Sequence, residues 1–195
     1  MDVTVITATI PPRAGMLGRC VESVHRQTLK PAAHLLEVDV HRTGAAATRD
    51  RLLGRVDTEY VAILDDDDEL LPDHLQTLRG AADGHDLVYS HFRYSSLGNG
   101  GHLEEFYGLP WDNAHPHQIT VTWLARTQAL LDVGGFSEGF DPLSNNRDAQ
   151  GNRIAEDYWV VLKLAKAGAR ILHVPKVTWV YHVGHAPTQG RPDAW

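Results

Sequence analysis

The chain has 195 residues, 43% of them hydrophobic and 22% charged, and carries a formal net charge of -7. This is enough for one domain with a full core, and it excludes disorder, collagen and coiled coil. No apolar run approaches the roughly 18 residues of a membrane span, and an acidic balance with a pI near 5.9 excludes a phosphate-tracking nucleic-acid binder, which needs clustered Lys and Arg.

Met1 leads directly into Asp2 and the β-branched run Val3-Thr4-Val5-Ile6-Thr7, with no basic and apolar leader before it, so the mature protein is expected to start as a folded strand. A single cysteine, Cys20, cannot close an internal disulfide, and a cytoplasmic setting is expected.

Val3 to Ile10 reads as a buried strand, and Leu17, Cys20, Val21 and Val24 then recur at helical spacing. Leu35 to Val40 is a second strand, Ala45 to Leu53 an alanine-rich helix, and Tyr60 to Leu64 a third strand that stops where acidic residues begin. Pro72 suits the first turn of a helix carrying Leu75, Leu78 and Ala82, and Asp86 to Tyr94 is again strand-like. Leu97-Gly98-Asn99-Gly100-Gly101 reads as a hairpin connection. Beyond it come a strand over Ile119 to Leu124, a short helix over Thr127 to Val133, a longer helix over Glu156 to Ala167 and strands over Ile171 to Val174 and Val177 to Val183. Strands alternating with helices predict an α/β fold: a mostly parallel sheet flanked by helices, with a small mixed lobe at its carboxyl edge. The whole chain, 1–195, is one domain in this reading, with a first half to about residue 95 and a second from about residue 96.

Asp65-Asp66-Asp67-Asp68-Glu69 follows directly on the third strand. In open α/β sheets ligands bind at that edge. If the segment stays extended, Asp65 and Asp67 share one side and Asp66 and Asp68 the other. Like charges so close need water or a cation, and oxygen ligands suit Mg²⁺, Mn²⁺ or Ca²⁺. The plainer alternative is a solvated loop or a complement to the dipole of the next helix.

Glu156-Asp157 opens a helix, where acidic residues are stabilising as caps; one of them could also act as a base, kept ionised by the helix N-terminus. Among twelve histidines, His182 and His185 lie close together after the last strand. No HExxH occurs to support a zinc hydrolase, and one histidine is expected to join the aspartates.

Taken together these segments resemble a GT-A-fold glycosyltransferase of the family 2 type. The resemblance runs from the strand Val3 to Thr9 through the helix ending Cys20-Val21-Glu22-Ser23-Val24-His25-Arg26-Gln27-Thr28 and the segment Gly44 to Asp50. It continues over Tyr60 to Pro72, Gly134-Gly135-Phe136, Glu156-Asp157-Tyr158 and Tyr181-His182. One departure is Val38-Asp39-Val40-His41-Arg42-Thr43-Gly44, which stands where the family often has an Asp-Asp-Gly-Ser-type turn.

The resemblance implies an inverting, hexosyltransferase-like enzyme that uses Mn²⁺ or Mg²⁺ and a nucleoside-diphosphate sugar, by default a uridine diphosphate sugar. Thr7, Ala8, Thr9 and Arg13 would border the nucleotide, Asp39 would meet the base, and Arg49 would lie near base or ribose. Asp65-Asp66-Asp67 would be the DXD motif, with Asp67 on the metal and Asp65 facing ribose or metal-bound water. Asp157 would be the general base, supported by Glu156, and His182 or His185 would approach the metal or diphosphate. The acceptor would be a carbohydrate, a lipid-linked group or a protein, in a region completed by a partner or a second copy. Two rivals use a comparable sheet: a sugar-nucleotide-forming nucleotidyltransferase, for which Ile10-Pro11-Pro12-Arg13-Ala14-Gly15 is a poor phosphate loop, and a non-catalytic nucleotide- or carbohydrate-binding module.

Overall fold

The computed structural model describes residues 2–95, 108–141, 147–148, 151 and 153–182. The chain opens with strand β1 (Val3–Thr9), a single 3-10 turn (Pro11–Arg13) and helix α1 (Ala14–His25), followed by β2 (Ala33–Val38) and α2 (Ala45–Leu53). Strands β3 (Tyr60–Ile63) and β4 (Glu69–Leu70), helix α3 (His74–Ala81) and strand β5 (Leu87–Tyr94) come next. After the undescribed segment follow β6 (Trp123–Arg126), α4 (Thr127–Asp132), α5 (Glu156–Lys166) and β7 (Ile171–Tyr181).

The seven strands of the described residues form one sheet in the order β2-β1-β3-β6-β5-β7-β4. The β2-β1-β3 edge is parallel, as the alternation of strands and helices predicts. β6 enters antiparallel between β3 and β5, and β4 closes the far edge antiparallel to β7. The sheet is therefore mixed, and its mixed part continues the parallel part without a break.

Period-2 alternation distributes the core over both faces. Val61 and Ile63 pack with Leu52, Leu53, Trp123, Phe136 and Val161 under α2, α4 and α5. Tyr60, Ala62 and Leu64 pack with Val5, Cys20, Leu75 and Trp179 under α1 and α3. Cys20 is buried as expected, and burial pushes its thiol up to about 12, so it is a packing residue. No helix among the described residues is long and apolar enough to cross a membrane.

The two-residue strand β4 was not expected, and two of the expected elements differ for local reasons. Ile119 and Val121 are buried, yet the Trp123 N–H turns back to the Val121 carbonyl at 2.9 Å, so the strand begins only at Trp123. The last two predicted strands are one, β7, whose partner register jumps from Ser90–Val174 to His91–Val177 around the exposed Pro175 and Lys176. Proline cannot donate to the ladder, so the bulge carries it outward while pairing resumes beyond. The hairpin read at Leu97–Gly101 lies outside the described residues.

Candidate active site

The site begins where β3 leaves the sheet. Leu64 still donates its N–H to the Ile6 carbonyl at 3.1 Å, and the next four residues form a turn closed by Asp68 N–H to Asp65 C=O at 3.2 Å. Strand alternation therefore does not govern the acidic residues. Asp65, Asp67 and Asp68 gather instead, with one carboxylate oxygen of each within 4.8 Å of the others. Asp66 faces β1, where Thr9 Oγ1 donates to its Oδ2 at 2.6 Å and Arg13 Nη1 to its Oδ1 at 2.9 Å. The same Arg13 nitrogen lies 2.6 Å from Asp67 Oδ2, and Arg19 Nη2 donates to the Asp67 carbonyl at 3.0 Å.

Burial, reinforced by Asp65 and Asp67, pushes the Asp68 carboxyl well above the usual carboxylate range, against the His182 N–H that donates to its Oδ1 at 3.0 Å. Three convergent carboxylates, one of them held back from ionising although Arg13 and Arg49 already pair with the other two, are a hard oxygen set. That chemistry fits a divalent cation.

A buried arginine joins this turn to the start of α5. Arg49, 5% exposed on α2, donates Nη2 to Asp65 Oδ1 and Nη1 to Glu156 Oε1, both at 2.6 Å. Burial alone would lower its affinity for the proton; Asp65, Glu156 and Asp157 outweigh it, so Arg49 stays charged. Glu156 Oε2 is buried without a hydrogen-bond partner among the described residues. Asp157, half-buried beside it, accepts its neighbour Tyr158 N–H at 2.8 Å. Desolvation, then the Glu156 charge, raise its carboxyl to about 7, with Arg49 pulling the other way. A carboxylate titrating near neutrality at a helix start can accept a proton.

The remaining sequence candidates divide. Thr9, Arg13, Asp66 and Asp67 form one hydrogen-bonded group and Asp65, Arg49 and Glu156 a second, the two joined through the backbone of the acidic turn, with Asp157 next to Glu156 in the chain. Thr7 turns to the α1 face, its hydroxyl 3.0 Å from His34 Nε2, and the half-buried Ala8 packs against the opposite core. Asp39 is 3% exposed and accepts the N–H groups of Thr43 at 3.0 Å and Gly44 at 2.7 Å. Burial would raise its pKa, but these donors hold the carboxyl below the usual range. Asp39 thus clamps the turn in which Arg42 takes a left-handed φ of 56° and Gly44 one of 89°. The His182 backbone meets Asp68, while its ring Nε2 is 3.4 Å from Glu69 Oε2. His185 lies outside the described residues.

Sequence reasoning did not single out Arg19 or Asp50, and it left Asp68 out of the metal set. Asp50, on α2, accepts the N–H groups of Phe136 at 2.6 Å and Ser137 at 2.9 Å. This locks the Gly134-Gly135-Phe136 segment beside the Arg49 guanidinium, which lies 5.7 Å from the Phe136 ring. Two successive glycines with φ of 75° and 64° were the visible sign of that turn; its partner on α2 had none.

Residues 33–123 match the sequence model of glycosyl transferase family 2, and no curated protein matches the chain. Among solved structures, S. aureus TarS 1-349 in complex with UDP aligns with a TM-score of 0.69 at 18% identity, over 94% of this chain and 61% of that one. Longer S. aureus TarS gives a TM-score of 0.69 at 16% identity, over 94% of this chain and 37% of its own. The mannosyltransferase PcManGT from Pyrobaculum calidifontis, in complex with GDP-Man and Mn2+, gives 0.61 at 16% identity, over 92% and 56%. This chain therefore spans 61% or less of the length of each of these structures. It has the GT-A fold, and its similarity in sequence to glycosyl transferase family 2 is confined to residues 33–123.

Proposed function

We propose that the chain is an inverting, metal-dependent glycosyltransferase that moves a sugar, of the hexose type, from a nucleoside-diphosphate sugar to an acceptor hydroxyl, in a cytoplasmic setting. The observation that carries this reading is that Arg49 bridges Asp65, in the convergent carboxylate trio, to Glu156, the residue next to Asp157, so that a candidate cation site and a candidate base are held close together. The similar structures, in complex with UDP or with GDP-Man and Mn2+, support the class of donor and the kind of ion; a uridine diphosphate sugar is the default.

In this reading Asp67, with Asp65 and Asp68, would hold Mn²⁺ or Mg²⁺, which would supply positive charge for the leaving diphosphate that an acidic protein is poorly placed to supply alone. Thr9 and Arg13 fix Asp66, and through it the turn beside the nucleotide. Asp157 takes the proton from the acceptor hydroxyl as that oxygen attacks the anomeric carbon, and Glu156 and Arg49 set its position and charge. Residues to about 95 serve the donor, and those from about 96 serve acceptor and base. The nucleotidyltransferase alternative is disfavoured by the turn after β1, where Pro11 and Pro12 have no N–H to offer a phosphate.

The test is an Asp157→Asn variant assayed with UDP- and GDP-sugars and Mn²⁺. Transfer, or slow donor hydrolysis, should be lost while nucleotide binding is kept. Pyrophosphate release by the wild type would point to the nucleotidyltransferase, and binding without turnover to a non-catalytic module.

A further inference from the structure

Four successive aspartates need positive charge near them, and the protein supplies it from two sides. Arg49 serves Asp65. Arg13 serves two residues through one nitrogen, Nη1, at 2.9 Å from Asp66 Oδ1 and 2.6 Å from Asp67 Oδ2. These two partners are not equivalent. Asp66 is also held by the Thr9 hydroxyl at 2.6 Å and lies outside the carboxylate trio, whereas Asp67 belongs to it. The backbone that carries Arg13 is stiff: Pro11 and Pro12 fix their own φ, and the Arg13 N–H bonds the Ile10 carbonyl at 3.0 Å. Rearrangement here falls to the long side chain, which can pivot about Asp66.

We propose that Arg13 is a placeholder cation, which holds Asp67 in the metal-free protein, gives that carboxylate up to a divalent ion, and then turns, still anchored on Asp66, to the donor diphosphate. The inference rests on the metal-dependent transfer proposed above and adds an order to it. A guanidinium within hydrogen-bond distance of Asp67 opposes a second cation on the same group. An arriving diphosphate offers Arg13 another anion and so relieves the opposition. Metal alone should then bind weakly, metal and nucleotide should strengthen one another, and by linkage the effect is mutual. Arg13 is in this sense a positioning residue.

The experiment is a Mn²⁺ titration followed by electron paramagnetic resonance of the free ion, on wild type, Arg13→Met, Arg13→Gln and Arg13→Lys, each without nucleotide and with UDP or GDP. Both neutral variants should bind Mn²⁺ alone about tenfold more tightly than wild type, and Arg13→Lys should resemble wild type. Nucleotide should tighten Mn²⁺ binding more in wild type and Arg13→Lys than in the neutral variants. Circular dichroism identifies which variants are folded, and either neutral variant suffices. Equal or weaker Mn²⁺ binding by the folded neutral variants overturns the placeholder role, while the transferase reading stands if nucleotide still recruits Mn²⁺ to the wild type. Failure of the wild type to bind Mn²⁺ with either nucleotide overturns both.

Discussion

Arg49 Nη1 and Glu156 Oε1 meet at 2.6 Å across a sequence separation of 107 residues, both side chains 7% exposed. This contact fastens α2 to the start of α5 and, through the other arm of the guanidinium, to the end of β3. Arg49→Met keeps most of the volume but leaves two carboxylates without their partner. Removing one member of a buried ionic network typically costs about 3–5 kcal/mol. Urea unfolding should report a loss of that order; a loss below about 1 kcal/mol, the range of exposed pairs, would show that the bridge is not holding the helix.

Asp157 gives a prediction of sign. Its carboxyl is raised to about 7 in the folded chain by burial and the Glu156 charge, whereas an unfolded aspartate titrates near the ordinary 3.8. Between these values the folded state binds the extra proton, so this group's contribution to stability is present at low pH and is lost as pH rises through about 7. Asp157→Asn removes that loss. In chelator-treated protein the variant's melting temperature, relative to wild type, should climb from pH 5 to pH 8. A difference that stays flat over this range would count against the raised pKa. The buried histidines His34 and His74, both depressed by burial, contribute the opposite slope, which cancels in the comparison of variant with wild type.

Gly135 tests the lock between α2 and the segment before α5. Its φ is 64°, and a Cβ there would fall 2.3 Å from Asp50 Oδ1, the oxygen that receives the Phe136 N–H. Gly135→Ala should destabilise by more than the roughly 1–2 kcal/mol that a left-handed backbone costs an L-residue, because the Asp50 carboxylate must also move. Gly54→Ala is the control: its φ of -64° is ordinary and nothing stands closer to its Cβ than the Asp50 carbonyl at 3.6 Å. Chemical denaturation of the two variants should separate them clearly.

What was legible in the sequence was what short-range pattern encodes. The alternation of apolar strands and helices marked β1, β2, β3 and β5 but not the two-residue β4, and the strand running into aspartates marked the end of β3 as the candidate site. Geometry that depends on partners distant in sequence was not. The turn at Asp65 to Asp68 replaced the expected alternation because Asp68 closes back on Asp65, which moved Asp68 into the carboxylate trio. The two arms of Arg49 are engaged by Asp65 and Glu156, and the second of these lies too far along the chain for any local signal. The antiparallel entry of β6 likewise depends on its pairing with β3 and β5, partners distant in sequence.

Asp68 carries the last prediction, because its effect should reverse with the ion present. It is 2% exposed, and burial together with Asp65 and Asp67 holds its carboxyl well above the usual range. In metal-free protein at neutral pH that is a penalty: the raised group's stabilising share belongs to acid conditions and is lost as pH rises. Asp68→Asn keeps an oxygen that can accept the His182 N–H and sheds the charge, so chelator-treated variant should melt above wild type at pH 7.5. With Mn²⁺ and a nucleoside diphosphate the order should invert. A ligand that binds only the folded state stabilises in proportion to the logarithm of its concentration over Kd, about 2.7 kcal/mol at a hundredfold excess, and the variant has given up one of three donors. If Asp68→Asn gained as much from Mn²⁺ as wild type, Asp68 would stand outside the coordination set, leaving Asp65 and Asp67 to hold the ion.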